Sequence, residues 1–205
     1  MCAPATRSSS ATRCSSGASA LSIALFGGAF DPPHVGHVAV ARAAKEQFDV
    51  ERLIVLVAEK PAHKEVHLPV ETRVELARAA FPDDEVQIDP YPRTIDLLRG
   101  ESFDDPLFVI GADQFCDFLS WEEPDAVLEL AQLAVATRPG FPGDRLDAVL
   151  EQLRRPDRVR FFAIEPIPAA SRDLRGLAAA GAPLTGLVPD AVWQLIREQG
   201  LYGAS

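Results

Sequence analysis

Six short runs of apolar residues alternate with stretches of helical periodicity, and this alternation restricts the chain more than any other feature. The runs fall at residues 23–26, 53–57, 86–88, 107–110, 133–136 and 159–162. The runs at 23–26, 53–57, 107–110 and 133–136 are continuously apolar, so both faces of those strands need cover; Gln87 and Arg160 interrupt the other two. That predicts an α/β fold: a doubly wound parallel sheet with helices on both sides. The helical stretches are residues 35–48, 71–80, 94–99, 124–130, 145–153, 171–180 and 189–199, with Gly100 and Gly200 as stops. The 205 residues, 47% of them hydrophobic, suit one domain with a real core, and residues 21–205 are read as that domain. Residues 1–20 are rich in Ser, Ala and Thr, with Arg7 and Arg13 and no acid, and are expected to be a disordered tail. The tail is similar in composition to a transit peptide but lacks the apolar block of a secretory signal. An unstructured tail or an upstream start codon is the favoured reading.

Charge narrows the partners. A net charge of -10 repels nucleic acid and anionic membranes at long range. It leaves room for a phosphorylated small molecule held by a few cations in one cleft. Cys2, Cys14 and Cys116 are too scattered for a disulfide framework, and no C-x-x-C pair is present for zinc. Reduced cysteines in a cytoplasmic protein are expected. No apolar run approaches the length of a membrane span.

The first strand runs into Gly27, Gly28, Ala29, Phe30, Asp31, Pro32, Pro33, His34, Val35, Gly36 and His37. In a parallel sheet, ligands sit beyond the carboxyl ends of strands, where a helix N-terminus points at them. Gly27 and Gly28 permit close approach of backbone N–H groups to a ligand. Pro32 and Pro33 stiffen the path to the helix. Gly36 is expected to leave room for a nucleotide against the backbone. His34 and His37, three residues apart, share one helix face at its positive end. Two imidazoles there can donate hydrogen bonds to a transferring phosphoryl group. A zinc site from His34, His37, His63 and His67 lacks the H-E-x-x-H spacing and is disfavoured.

The string G-G-x-F-D-P-x-H-x-G-H resembles the signature of the nucleotidyltransferase superfamily, which includes pyridine-nucleotide and phosphopantetheine adenylyltransferases and several cytidylyltransferases. The chain from about Leu21 to Tyr202 is similar to the bacterial nicotinate mononucleotide adenylyltransferases. That resemblance implies a Rossmann-like sheet of nucleotidyltransferase type with helices at its C-terminus. Lys60, Pro61, Ala62, His63 and Lys64 resemble the family's P-P-H-K loop, so Lys64 is expected on phosphate. Arg93, Thr94, Ile95, Asp96, Leu97 and Leu98 partly match Y-T-x-x-T-L, which implicates Thr94 in acceptor binding. Thr94 also suits a helix N-cap. Gly111, Ala112 and Asp113, followed by Trp121, resemble G-x-D…W. Asp113 would accept from ribose hydroxyls, or cap a helix, and Trp121 would pack on the pyridine ring, or in the core. Arg138, Pro139 and Gly140 match the family's R-P-G.

The late motif I-S-S-T-x-I-R reads here Ala169, Ala170, Ser171, Arg172, Asp173, Leu174, Arg175. Ser171 and Arg175 match, and Arg172 stands where the family has Thr. A Ser at a helix start with an Arg one turn later makes an anion site.

The resemblance implies adenylyl transfer from ATP to nicotinate mononucleotide, giving deamido-NAD and pyrophosphate. It assigns ATP to Gly27, Gly28, Phe30, Asp31, His34, Gly36, His37, Ser171, Arg172 and Arg175, and the acceptor to Lys64, Thr94, Asp113 and Trp121. The catalytic groups would be His34, His37, Lys64 and Arg175. Mg²⁺ would arrive on the ATP phosphates, with no metal ligands expected from protein side chains. A different phosphorylated acceptor, nicotinamide mononucleotide above all, is one alternative. The phosphopantetheine enzymes have Thr where this chain has His34. A nucleotide-binding sensor without catalysis is another, supported by Ala169 and Ala170. Oligomeric state, including a homo-oligomer, is open.

Overall fold

The computed structural model describes residues 23–61 and 65–204. The expected tail at residues 1–20 lies outside the described residues, as do Cys2, Cys14, His63 and Lys64. Six strands form one parallel sheet: β1 Ile23–Gly28, β2 Arg52–Ala58, β3 Glu85–Asp89, β4 Leu107–Gly111, β5 Gln132–Thr137 and β6 Val159–Ala163. Their spatial order is β3-β2-β1-β4-β5-β6. The chain winds outward from β1 in one direction, then returns to β1's other side at β4. That reversal creates a switch point between β1 and β4, the place where such sheets bind ligands.

Helices cover both faces: α1 Val35–Phe48, α2 Val70–Ala80, α3 Thr94–Gly100, α4 Ala112–Cys116, α5 Pro124–Leu130, α6 Gly143–Leu150, α7 Ser171–Ala179 and α8 Asp190–Glu198. Alternate residues of each central strand feed two separate cores. Ala24, Phe26, Val55, Val57 and Val109 pack against α1, α2, α7 and α8. Leu25, Ile54, Leu56, Phe108 and Ile110 pack against α3, α4, α5 and α6. A strand buried on both sides has no polar face, which is why its sequence reads as an unbroken apolar run. Among the described residues no helix is long and apolar enough to cross a membrane.

The ladders are unequal around the switch point. β1 pairs with β2 over its whole length, from Ile23 to Gly28. It pairs with β4 only over residues 24–26. Gly27 and Gly28 therefore extend past the last β1–β4 rung. The sheet opens there, between the ends of two strands that the chain order separates.

The helix over 145–153 instead spans Gly143–Leu150. Pro142 supplies its N-cap backbone, so the helix starts two residues early. Short α4 and the 3-10 turns at Phe118–Ser120, Pro156–Arg158 and Leu201–Gly203 had no sequence expectation. They are too brief to show a helical period.

Candidate active site

The turn after β1 is packed from below by one aromatic ring. Phe30 is 1% exposed and its ring lies edge-on to Phe26, Phe81 and His37, with centroids 5.6, 5.9 and 5.1 Å away. A Cβ at Gly28 would come within 2.9 Å of that ring, so the glycine is required by close packing. Phe30 itself has φ 50°, the left-handed region that non-glycine residues seldom adopt. Asp31 and Pro32 follow through a cis peptide bond.

α1 begins beyond this turn. His34 occupies its N-cap with extended backbone. The His34 backbone N–H donates to Nδ1 of His37 at 3.2 Å. In a neutral imidazole an accepting Nδ1 leaves Nε2 as the protonated nitrogen. The two rings stack, with centroids 3.7 Å apart and a 30° tilt. His34 is 8% exposed. Gly36, which lines a small cavity shared with both histidines, also makes room for a neighbouring side chain. A Cβ there would lie 3.0 Å from both Cε1 and Nδ1 of His34, so the imidazole itself fills the space.

Asp31 is the hub of the loop and is 2% exposed. Its Oδ1 accepts from the Tyr202 hydroxyl at 2.7 Å and its Oδ2 from the His67 backbone N–H at 2.6 Å. Its carbonyl accepts from Arg175 Nη1 at 2.7 Å. Next to it, the Pro32 carbonyl accepts from Ser171 Oγ at 2.9 Å. The Val35 N–H donates to the Leu187 carbonyl at 3.1 Å. Both carboxylate oxygens of Asp31 thus hold protein donors, and its visible work is to organise the loop. Burial, and then the bonded Asp31 carboxyl, push the Tyr202 phenol up from its ordinary value.

Arg73 completes the floor. It is 1% exposed and donates to four carbonyls: Leu68 at 3.1 Å, Ala29 at 2.9 Å, Ala58 at 2.8 Å and Glu59 at 3.0 Å. These carbonyls lie at the ends of β1 and β2 and just before α2. Burial lowers the guanidinium's pKa from its ordinary value, with nearby Asp31 opposing that shift.

A cleft of about 1260 Å³ opens above these groups. Its lining includes Phe30, Asp31, His34, His37, Glu65, His67, Arg138, Ser171, Arg172 and Arg175. Three arginines and three histidines meet two acids, one of which is buried and bonded. A protein of net charge -10 therefore focuses positive charge in one place. A smaller cavity of about 270 Å³ adjoins it, sharing His34, His37, Arg138 and Ala169 and adding Gly36, Gly111 and Asp113. α7 begins at the cleft with Ala170 as an N-cap that offers no side-chain oxygen. Ser171 is the first helical residue rather than the cap.

The expected acceptor residues are divided. Asp113 lines the smaller cavity and faces Arg138 at 3.5 Å, with both side chains more than half exposed. Its place is the second residue of α4, and Gly111 holds the N-cap. Thr94 is likewise the first residue of α3, with Arg93 in the N-cap, so neither residue caps its helix. Trp121 lies edge-on to Phe108 and Phe118 at 6.4 and 5.2 Å, packed against the second core. Thr94 and Trp121 are absent from the lining of both cavities. Their chain neighbours Arg93 and Glu122 form an exposed ion pair at 3.7 Å. Lys64 lies outside the described residues.

Arg73 and Tyr202 carried no functional expectation, and His67 only that of a disfavoured zinc ligand. Arg73 did leave a signal: it lies three residues after Val70 and four before Ala77, on the apolar stripe of α2. An arginine on that stripe is either an error of register or a buried anchor. Tyr202→Phe is expected to lower stability at neutral pH by about 1 kcal/mol, the worth of one buried hydrogen bond. A phenol whose folded pKa is raised keeps its full contribution below the unfolded value and loses it as pH rises beyond. Wild-type stability should then fall above about pH 10 by up to roughly 1.4 kcal/mol per unit. Urea unfolding at pH 9.5 and 11 checks this, and an equal slope in wild type and variant would exclude Tyr202 as its source.

The cytidylyltransferase-like family profile matches residues 25–185 of this chain. A protein of Rubrobacter xylanophilus, named probable nicotinate-nucleotide adenylyltransferase, is 33% identical over 200 residues, covering 89% of this chain and 92% of its own. One of the same name from Symbiobacterium thermophilum is 35% identical over 196 residues, covering 88% and 94%. Among solved structures, the nicotinic acid mononucleotide adenylyltransferase of Plasmodium falciparum complexed with NaAD superimposes with a TM-score of 0.70 at 17% identity, over 89% of this chain and 98% of that one. The same enzyme complexed with APC gives 0.69 at 16% identity, over 89% and 98%. At that identity the structural likeness concerns the fold.

Proposed function

This chain belongs to the cytidylyltransferase-like family, among its nicotinate-nucleotide adenylyltransferases, and we infer that it transfers the adenylyl group of ATP to nicotinate mononucleotide. The products are deamido-NAD and pyrophosphate, and the reaction serves NAD biosynthesis. The arrangement that supports this most is the His34–His37 pair at the start of α1. It borders the sheet's switch point and lines one cleft with Ser171, Arg172 and Arg175.

In the mechanism we favour, a 5′-phosphate oxygen of the acceptor attacks the α-phosphorus of ATP in line. A P–O bond forms to the acceptor as the bond to the β-phosphate bridging oxygen breaks, and pyrophosphate departs with that electron pair. A phosphate dianion is already nucleophilic, so the step needs no general base. His37 Nε2–H, oriented by the His34 amide, donates to a non-bridging α-oxygen, with His34 beside it. Ser171, Arg172 and Arg175 receive the departing charge. Ser171 donates to the Pro32 carbonyl and Arg175 to the Asp31 carbonyl, which still leaves Arg175 further N–H groups for a ligand. Gly27 and Gly28 give the backbone approach beside the α-phosphate. Asp113 suits a ribose hydroxyl, since its exposed carboxylate faces the smaller cavity. Lys64, Thr94 and Trp121 are assigned to the acceptor through their motifs. Catalysis on this scheme is positioning plus electrostatics.

The donor set around the cleft suits phosphate oxygens more than a hard cation. Its acids are Glu65 and the fully engaged Asp31. Mg²⁺ would therefore be carried by the ATP phosphates, and when bound it supplies charge neutralisation to them. A cytoplasmic location is the reading that matches these substrates.

The test is pyrophosphate release from ATP and Mg²⁺ with nicotinate mononucleotide and nicotinamide mononucleotide side by side. The acid is expected to exceed the amide by about tenfold or more in kcat/KM. Equal rates would remove the acid preference. Release with neither acceptor, while ATP still binds, would overturn the acceptor assignment.

A further inference from the structure

The cleft contains a third imidazole that the H-x-G-H string does not include. His67 is exposed and lines the cleft together with Arg172 and Arg175. Its backbone is held at two successive residues. The His67 N–H donates to Asp31 Oδ2 at 2.6 Å, and the Leu68 carbonyl accepts from Arg73 Nε at 3.1 Å. Both anchors are buried, Asp31 at 2% and Arg73 at 1% exposure. Arg73 carries the same loop onward to Ala29, Ala58 and Glu59. A fixed backbone under a solvent-facing polar tip is how a positioned ligand contact is built.

The place of that tip is set by Asp31. The residue takes the His67 amide on its carboxylate and the Arg175 guanidinium on its carbonyl. The His67 backbone and the Arg175 guanidinium therefore both meet Asp31, and both side chains line one cleft. An exposed imidazole adds little to the core, yet two buried groups are spent in holding its loop still. We propose that His67 is a further ATP-binding residue, which donates an N–H to a β- or γ-phosphate oxygen beside Arg175. This rests on the reading that Ser171, Arg172 and Arg175 receive the pyrophosphate moiety.

The experiment compares wild type, His67→Ala and His67→Gln. ATP affinity is measured by calorimetry without acceptor, and KM for ATP and for nicotinate mononucleotide by pyrophosphate release. His67→Ala is expected to raise both Kd and KM for ATP about tenfold. KM for the acceptor should stay within about twofold, and inhibition by added pyrophosphate should weaken in parallel. His67→Gln, which keeps an N–H donor, should recover most of the ATP affinity. Unchanged ATP affinity in His67→Ala, or a change confined to acceptor KM, would overturn the proposal. The calorimetric arm needs no acceptor, so it stands even where the acceptor assignment fails.

Discussion

His37→Ala is expected to lower kcat by about a hundredfold or more, with a much smaller change in KM for ATP. The size follows from what the ring can do only during reaction. Its Nδ1 accepts from the His34 amide, so on the proposed scheme Nε2–H is the donor to the α-phosphate. The charge on those oxygens changes as the bond to the leaving group breaks, so a fixed donor there acts on the barrier more than on binding. Folding should lose only about 1 kcal/mol, through the His34 amide that loses its acceptor. His37→Asn would separate the two effects, because it keeps an amide donor at shorter reach. An unchanged kcat in His37→Ala would remove the residue from the chemistry.

Arg73→Met is expected to destabilise the protein by about 3–5 kcal/mol, read from urea unfolding. The substitution roughly keeps volume and removes the burden of a desolvated cation, which by itself would favour folding. Against that, the carbonyls of Ala29, Ala58, Glu59 and Leu68 lose their shared donor together. Four stranded acceptors outweigh one relieved charge. A total stability of roughly 5–15 kcal/mol is typical of a domain, so the variant should lie near its limit. Arg73→Lys should recover part of the loss, since an ammonium has three donors but not the span of the guanidinium fork. A loss below about 1 kcal/mol would mean that water replaces the arginine at all four carbonyls.

The sheet was legible because burial on both faces writes itself into the four central strands, while the edge strands β3 and β6 stay partly exposed. Each of the six apolar runs became a strand extended by one or two residues. α1 and α5 took their expected bounds, since both begin next to a proline-containing turn and carry a clear period. Elements of three to five residues, such as α4, leave no period to read. The histidine motif was legible from residue types alone, but the packing of the His34 ring against Gly36 was not. Thr94 and Asp113 were read as possible caps from their chemistry, and the caps proved to be Arg93 and Gly111. A one-residue shift in helix start decides such roles, and propensity does not resolve it. The buried anchors were the least legible part. Arg73, Asp31 and Tyr202 act through partners 5 to 171 residues away, most of them beyond the reach of local pattern.

The loop at residues 31–35 is held by Ser171, Arg175, Leu187 and Tyr202 through four hydrogen bonds. The histidines it carries belong to the earliest part of the fold to be synthesised, and their supports to the latest. His67 and Arg73 can brace the turn early, yet its bonds to Ser171, Arg175, Leu187 and Tyr202 wait for the end of the chain. Domains built on such distant contacts form late and slowly. The first loop of the fold is therefore complete only when the C-terminal segment through Tyr202 has folded back onto it.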